Sequence, residues 1–213
     1  MKRRRALLAI GSAGIATSVT GCIGFLTGSE PLELAAERAT LSDRALEETG
    51  YEEDEIRDET ISRSFSAAGQ EREVEVTNWV ATYDRTLDLG ALGEQELAVF
   101  ALLSTPQVKI FDRTFNPVGE MSNRELLQEL QGRYSSFSVG SRVDTTEMTV
   151  LGESVEVEKY EGTASFDQTD IELFIHIANV PHDSDFVIPV AMYPKRLPGE
   201  SDRVFRLYRG IQH

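Results

Sequence analysis

The residues whose types could do chemistry gather late in the chain. Its three histidines are His176, His182 and His213. His182 stands in the loop Pro181-His182-Asp183-Ser184-Asp185, and His176 lies shortly before it. Imidazole and carboxylate groups are ligands for divalent metals. The His176/His182 region is therefore where a weakly marked hydrolase or a metal-dependent enzyme would work, as the alternative to a non-enzymatic module that binds or scaffolds a protein partner at the membrane surface. The spacing matches no established ligand motif, and Pro, Asp and Ser are ordinary turn formers. His176, in a strand-like run, need not point toward the loop. The expectation is a turn, with no metal and no cofactor.

Other chemistries find less support. Gly90-Ala91-Leu92-Gly93 has neither the spacing nor the lysine of a phosphate-cradling loop. There is no Gly-x-Ser-x-Gly elbow. A Ser/His/Asp triad is compatible with the composition, but nothing points to one. The single cysteine is Cys22, so the body of the chain has no thiol nucleophile. Carboxylates are so abundant that most must form a solvated acidic face.

One basic feature stands against that acidity. Lys195, Arg196, Arg203, Arg206 and Arg209 fall in one segment whose only acids are Glu200 and Asp202. Arg203, Arg206 and Arg209 are spaced by three and share a face if the segment is helical. They read either as an anion or partner patch, or as arginines paired with the acidic body and complementing the helix C-terminus.

Residues 1–22 carry an address. Lys2 to Arg5 are basic, residues 6–19 are mildly apolar, and Val19-Thr20-Gly21-Cys22 closes the stretch. A membrane-spanning helix needs about 20 apolar residues, so this run fits an export signal better. Arg4-Arg5-Ala6-Leu7-Leu8 resembles the twin-arginine export motif. Val19 to Cys22 resembles a lipobox, with Cys22 as the lipid attachment point. The bland reading is an uncleaved anchor or a basic tail. A lone cysteine in an exported chain cannot form an internal disulfide, and at this position a lipid site explains it best. The expected plan is a signal over residues 1–21, a short linker over 22–30, and one acidic domain over 31–213. A linker of seven extended residues reaches about 25 Å, which keeps the domain near the membrane on the extracytoplasmic side.

The whole chain carries −15. The signal holds four bases and no acid, so the remainder is more acidic still. Such a surface argues against nucleic acid as a partner. After the signal the only lysines are Lys109, Lys159 and Lys195. An acidic, lysine-poor surface suits high salt, which screens self-repulsion. The export signal, the acidic body and the stretches Leu102-Leu103-Ser104-Thr105-Pro106, Asn116-Pro117, 121–127 and 193–213 together resemble a haloarchaeal lipoprotein family of unknown function. That resemblance implies location and architecture. It brings no catalytic residues.

The elements that must position these groups read as helix, strands, helix, strands, helix. The first helix is expected over residues 33–49. A hairpin follows over 59–66 and 71–83, then a doubly buried strand over 96–103. Ser122 and Glu125 form a capping box that opens a second helix carrying Leu126, Leu127 and Leu130. Strands follow over 147–151, 154–163, 170–179 and 186–193, the last placed at an edge or bulge because Pro189 cannot donate to a ladder. The last helix is expected over 201–211, with Val204, Leu207, Tyr208 and Ile211 as its apolar stripe. This order predicts an α+β fold, a mostly antiparallel sheet with about three helices packed on it. It is loosely similar, in element order only, to the PsbP extrinsic subunits of photosystem.

Overall fold

The computed structural model describes residues 31–67, 70–88, 94–110, 113–114, 117–133, 137–166 and 169–213. Arg4, Arg5, Cys22, the linker and the Ala68-Gly69 turn lie outside the described residues.

The fold is α+β, and its centre is one twisted sheet. The strands are β1 (Leu32–Ala35), β3 (Glu52–Ala67), β4 (Gln70–Asp88), β5 (Glu94–Pro106), β8 (Phe137–Val150), β9 (Glu153–Phe166), β10 (Thr169–Ile177), β11 (Val180–His182) and β12 (Asp185–Pro194). The path across the sheet is β1-β4-β5-β12-β10-β9-β8, with β3 also on β4 and β11 also on β12. Every pairing is antiparallel except the short parallel one between β1 and β4. Small pairs β2 (Thr40–Leu41) with β13 (Ile211–Gln212) and β6 (Lys109–Ile110) with β7 (Arg113–Thr114) complete the strands. Among the described residues the helices are α1 (Asp43–Thr49), α2 (Asn123–Arg133) and α3 (Glu200–Arg209), with a 3-10 turn at Pro117–Gly119.

Strand alternation sorts side chains onto two faces. One face presents Tyr83, Phe100, Leu102, Ala191, Tyr193, Val157 and Val150 to α1 and α3. The other presents Ile175, Ile177, Ile188, Val190 and Tyr160 to Leu126 and Leu127 of α2. Burying Val204, Leu207 and Tyr208 of α3 contributes on the order of 1.5–3 kcal/mol each, enough to seat that helix.

The capping box of α2 forms. Glu125 accepts from the Ser122 amide at 2.7 Å, and Ser122 Oγ accepts from the Glu125 amide at 3.3 Å. The β3–β4 hairpin pairs continuously from Ala67↔Gln70 to Glu52↔Asp84, with one bulge.

Three expectations need correction. The first helix does not span residues 33–49. Leu32–Ala35 is β1, because Leu32 and Leu34 find Val74 and Val76 to pack on, and only Asp43–Thr49 is helical, opened by Ser42. Gly50, at φ 72°, stops it. Pro189 is not at an edge, because β12 lies between β5 and β10. The nitrogen and oxygen of one strand residue face the same edge, and Pro189 O accepts from Ala178 N. Its donor-less nitrogen thus faces the crossover from β10 to β11, where no ladder bond is required. The last helix ends at Arg209, and Ile211 belongs to β13 instead.

Candidate functional site

β5, β12 and the residue after β13 bring together Ser104, Asp185 and His213. None of these is more than slightly exposed. His213 Nε2 lies 3.2 Å from Ser104 Oγ and 3.1 Å from Asp185 Oδ2. The same Asp185 oxygen accepts from the Glu37 amide at 2.7 Å. Asp185 Oδ1 and His213 Nδ1 have no partner among the described residues. These are the three residue types of a nucleophilic triad, but the wiring differs. A proton relay needs serine and carboxylate on opposite imidazole nitrogens. Here both meet Nε2, so the cluster ties β5, β12 and both ends of the domain together and does not have the arrangement of a triad.

His182 and Asp185 are the paired residues that flank the β11–β12 turn, with Asp183 at φ 50°. The His182 ring stands edge-on to His213, their centroids 5.3 Å apart. The loop is thus a hairpin turn that sets Asp185 on β12.

His176 engages different partners. It is 1% exposed and stacks on Tyr193, while Phe205 of α3 meets it edge-on. The Tyr193 hydroxyl is 2.9 Å from His176 Nε2. Burial first, and the Lys159 ammonium second, push the imidazole down to about 3. Burial also pushes Tyr193 up to about 12, against a hydrogen bond from Ser201. Tyr193 and His176 are therefore both neutral, and the phenol and the ring share one hydrogen bond at Nε2. His176 and His182 do not share a site. Among the described residues no group of three His, Cys, Asp or Glu side chains could hold a metal ion.

A second buried polar node holds the start of α3. Glu200 is 0% exposed, accepts from Tyr51 at 2.9 Å and is paired with Arg85. Burial and the Glu200 charge raise Tyr51 well above the ordinary phenol value.

The structure divides the three arginines of α3. Arg203 is half-buried, lies 3.9 Å from Glu200, and donates to the Thr49 carbonyl at 3.2 Å, capping the end of α1. Arg206 and Arg209 are exposed on the outer side with Asp202. Neither has a carboxylate within 4 Å among the described residues; Arg209 reaches only the Phe205 carbonyl, at 3.4 Å. Glu48 feels Arg206, but Arg44 is its main partner and the chief cause of its lowered pKa.

Residues 38–212, from the approach to β2 through β13, match the family described as Domain of unknown function (DUF6517). The chain belongs to the DUF6517 family. The DUF6517 match takes in every element described above except β1. No curated protein matches. Among solved structures, LpqN of Mycobacterium tuberculosis, described as involved in cell envelope biogenesis, is 9% identical. That alignment covers 81% of this chain and 96% of that one, with a TM-score of 0.28, a likeness that carries no argument. The likeness to the PsbP subunits expected from element order is not shown, and the described chain opens with β1 and β2 before its first helix.

Sequence reasoning named His182, Asp185 and His213 but not their meeting, and it missed Ser104 and Glu200 as partners. Ser104 lies inside an apolar strand run with no polar neighbour in register to mark it. Glu200 carried one local signal, an acid in the first turn of a helix.

Proposed function

We propose that this DUF6517 protein is an extracytoplasmic module, tethered through a lipid on Cys22, that binds an acidic protein partner at the membrane surface through the outer side of α3. The observation that carries the binding surface is the pair Arg206 and Arg209. They stand one turn apart, exposed and with no carboxylate within 4 Å among the described residues, on a chain of net charge −15 that has acids to spare. Arginine pairs with carboxylates through two parallel hydrogen bonds. Such short-range contacts persist in salt that screens longer-range attraction. A headgroup reading is weaker, since about 1 kcal/mol per arginine near an anionic membrane falls further in high salt. No helix among the described residues is long and apolar enough to cross a membrane. The tether is supported by the residues of the signal: Arg4-Arg5, the apolar run and Cys22 in order. Twin-arginine export and adaptation to high salt belong to the same proposal, as does membership of a haloarchaeal lipoprotein family.

The test uses the full chain in intact cells at native salt, with a photoactivatable cross-linker on Asp202→Cys, an exposed position beside both arginines. A discrete protein adduct that weakens in Arg206→Gln/Arg209→Gln is the expected result. Adducts to lipid alone would replace the protein partner with headgroups. An adduct indifferent to the double change would remove the arginines from the surface.

A further inference from the structure

The stretch between β1 and β2 does more than connect them. Ala36 N donates to Thr77 O at 3.0 Å, and Glu37 N donates to Asp185 Oδ2 at 2.7 Å. The Arg38 guanidinium lies 4.3 Å from the Trp79 ring centroid, and Ala39 is buried. The chain then enters β2, where Leu41 N donates to the Tyr83 hydroxyl at 3.0 Å and Leu41 pairs with Ile211 of β13. Ser42 N donates to Gly210 O at 2.9 Å. Gly210 directly follows Arg209. From β1 to the end of α3 there is an unbroken run of contacts.

We propose that residues 36–39 are a strap that couples the membrane-proximal end of the chain to the arginine side of α3, so that lifting the strap releases β13 and the end of α3 as one unit. This rests on the reading that Arg206 and Arg209 bind a partner, and it assigns their regulation. The coupling element is Asp185. One of its oxygens takes both the strap, through the Glu37 amide, and the C-terminal arm, through His213. Its other oxygen has no partner among the described residues, and neither does His213 Nδ1. A buried carboxylate with so few partners cannot lose one without becoming under-satisfied. Solvating it means opening the strap and the arm together. Contacts that must open together form one cooperative unit. β1 is held by only four residues of parallel pairing, so force or a partner at the tethered end that frees β1 then acts directly on the strap. By linkage, a partner seated on α3 must stabilise the closed strap to the extent that closing favours its binding.

Hydrogen exchange on the full chain at native salt tests the unit without any partner. In Arg38→Ala, which loosens the strap from Trp79 without touching the buried carboxylate, exchange is expected to rise together at Glu37, Leu41, Ser42, Gly210 and Ile211. A rise of about two- to fivefold is expected, with Tyr160 and Ile175 unchanged. A rise confined to residues 36–38, or one spread evenly over the sheet, would overturn the unit. Asp185→Asn should open the same set; if it fails to fold, Arg38→Ala alone decides. Cross-linking from Asp202→Cys then reads the regulation, and Arg38→Ala should change its yield at least threefold. An unchanged yield overturns the coupling. A yield indifferent to Arg206→Gln/Arg209→Gln, alongside the expected exchange pattern, would sink the binding reading and leave the cooperative unit standing.

Discussion

Tyr51 and Glu200 lie 149 positions apart and meet in the core, the Tyr51 hydroxyl donating to Glu200 Oε1 at 2.9 Å. Arg85 takes the other carboxylate oxygen. The same acid sits in the first turn of α3, where a negative charge complements the helix dipole. One side chain thus orients α3 against the sheet and against α1.

Glu200→Ala should leave the Arg85 guanidinium, itself mostly buried, without its partner. Removing one member of a buried ion pair costs about 3–5 kcal/mol. Denaturant unfolding of the domain measures it. A loss below about 1 kcal/mol would mean that the node contributes little to stability. Glu200→Gln, which keeps an acceptor for Tyr51, should cost less.

His176 sets a pH dependence with a definite sign. Its folded value of about 3 lies below the ordinary 6.5. As pH falls between those values, the unfolded chain takes up a proton that the folded one refuses, so stability present above 6.5 is progressively lost. The slope from this one group is at most about 1.4 kcal/mol per pH unit. His176→Gln should flatten the stability profile across that window. Nuclear magnetic resonance of the imidazole is the direct check: a His176 ring that titrates near 6.5 would contradict the buried, neutral assignment.

Two glycines should respond with opposite sign. A Cβ on Gly210 would overlap Ala45 Cβ and crowd Ser42 Oγ, so Gly210→Ala should force α1 and α3 apart at a cost of about 1–3 kcal/mol. Gly132, exposed within α2, has open space around it. Gly132→Ala should stabilise by about 0.4–1 kcal/mol through the unfolded chain. Thermal melts of the two variants compare them directly.

Cys22→Ser should release or misprocess the protein if Cys22 carries the lipid. Cell fractionation decides, and a mutant that is still processed and membrane-bound would remove the anchor.

The acidic chain should also melt at higher temperature as salt rises, because exposed like charges repel over a longer range when unscreened. A midpoint that stays flat from low to multimolar salt would count against adaptation to high salt.

What was legible in the sequence was local. Ser122 and Glu125 announce α2 because both partners of the box lie within one turn. The alternation around Ile171, Leu173, Ile175 and Ile177 assigns one face of β10 because period two needs no distant information. The stripe of Val204, Leu207 and Tyr208 gives the buried side of α3 and, by exclusion, the outer side of Arg206 and Arg209. The segment Leu32–Ala35 misled, because Leu34, Ala35 and Ala39 fit a loose helical stripe as well as a strand. Only Val74 and Val76 of β4, far along the chain, break that tie.

The sequence by itself determined the acidity, the order of most elements, the caps and turns, and the lone cysteine behind an apolar run. Each depends on residue identities or on neighbours within a few positions. Only the tertiary structure decided that His213 would reach Ser104 and Asp185, that His176 would pair with Tyr193 and not with His182, and that Arg203 would turn inward while Arg206 and Arg209 stay out. Those outcomes follow from strand register and helix seating, which are set when the two faces of the sheet compete to bury the most apolar surface. Polar groups trapped by that burial then take whichever partners lie within hydrogen-bond reach, however distant in the chain.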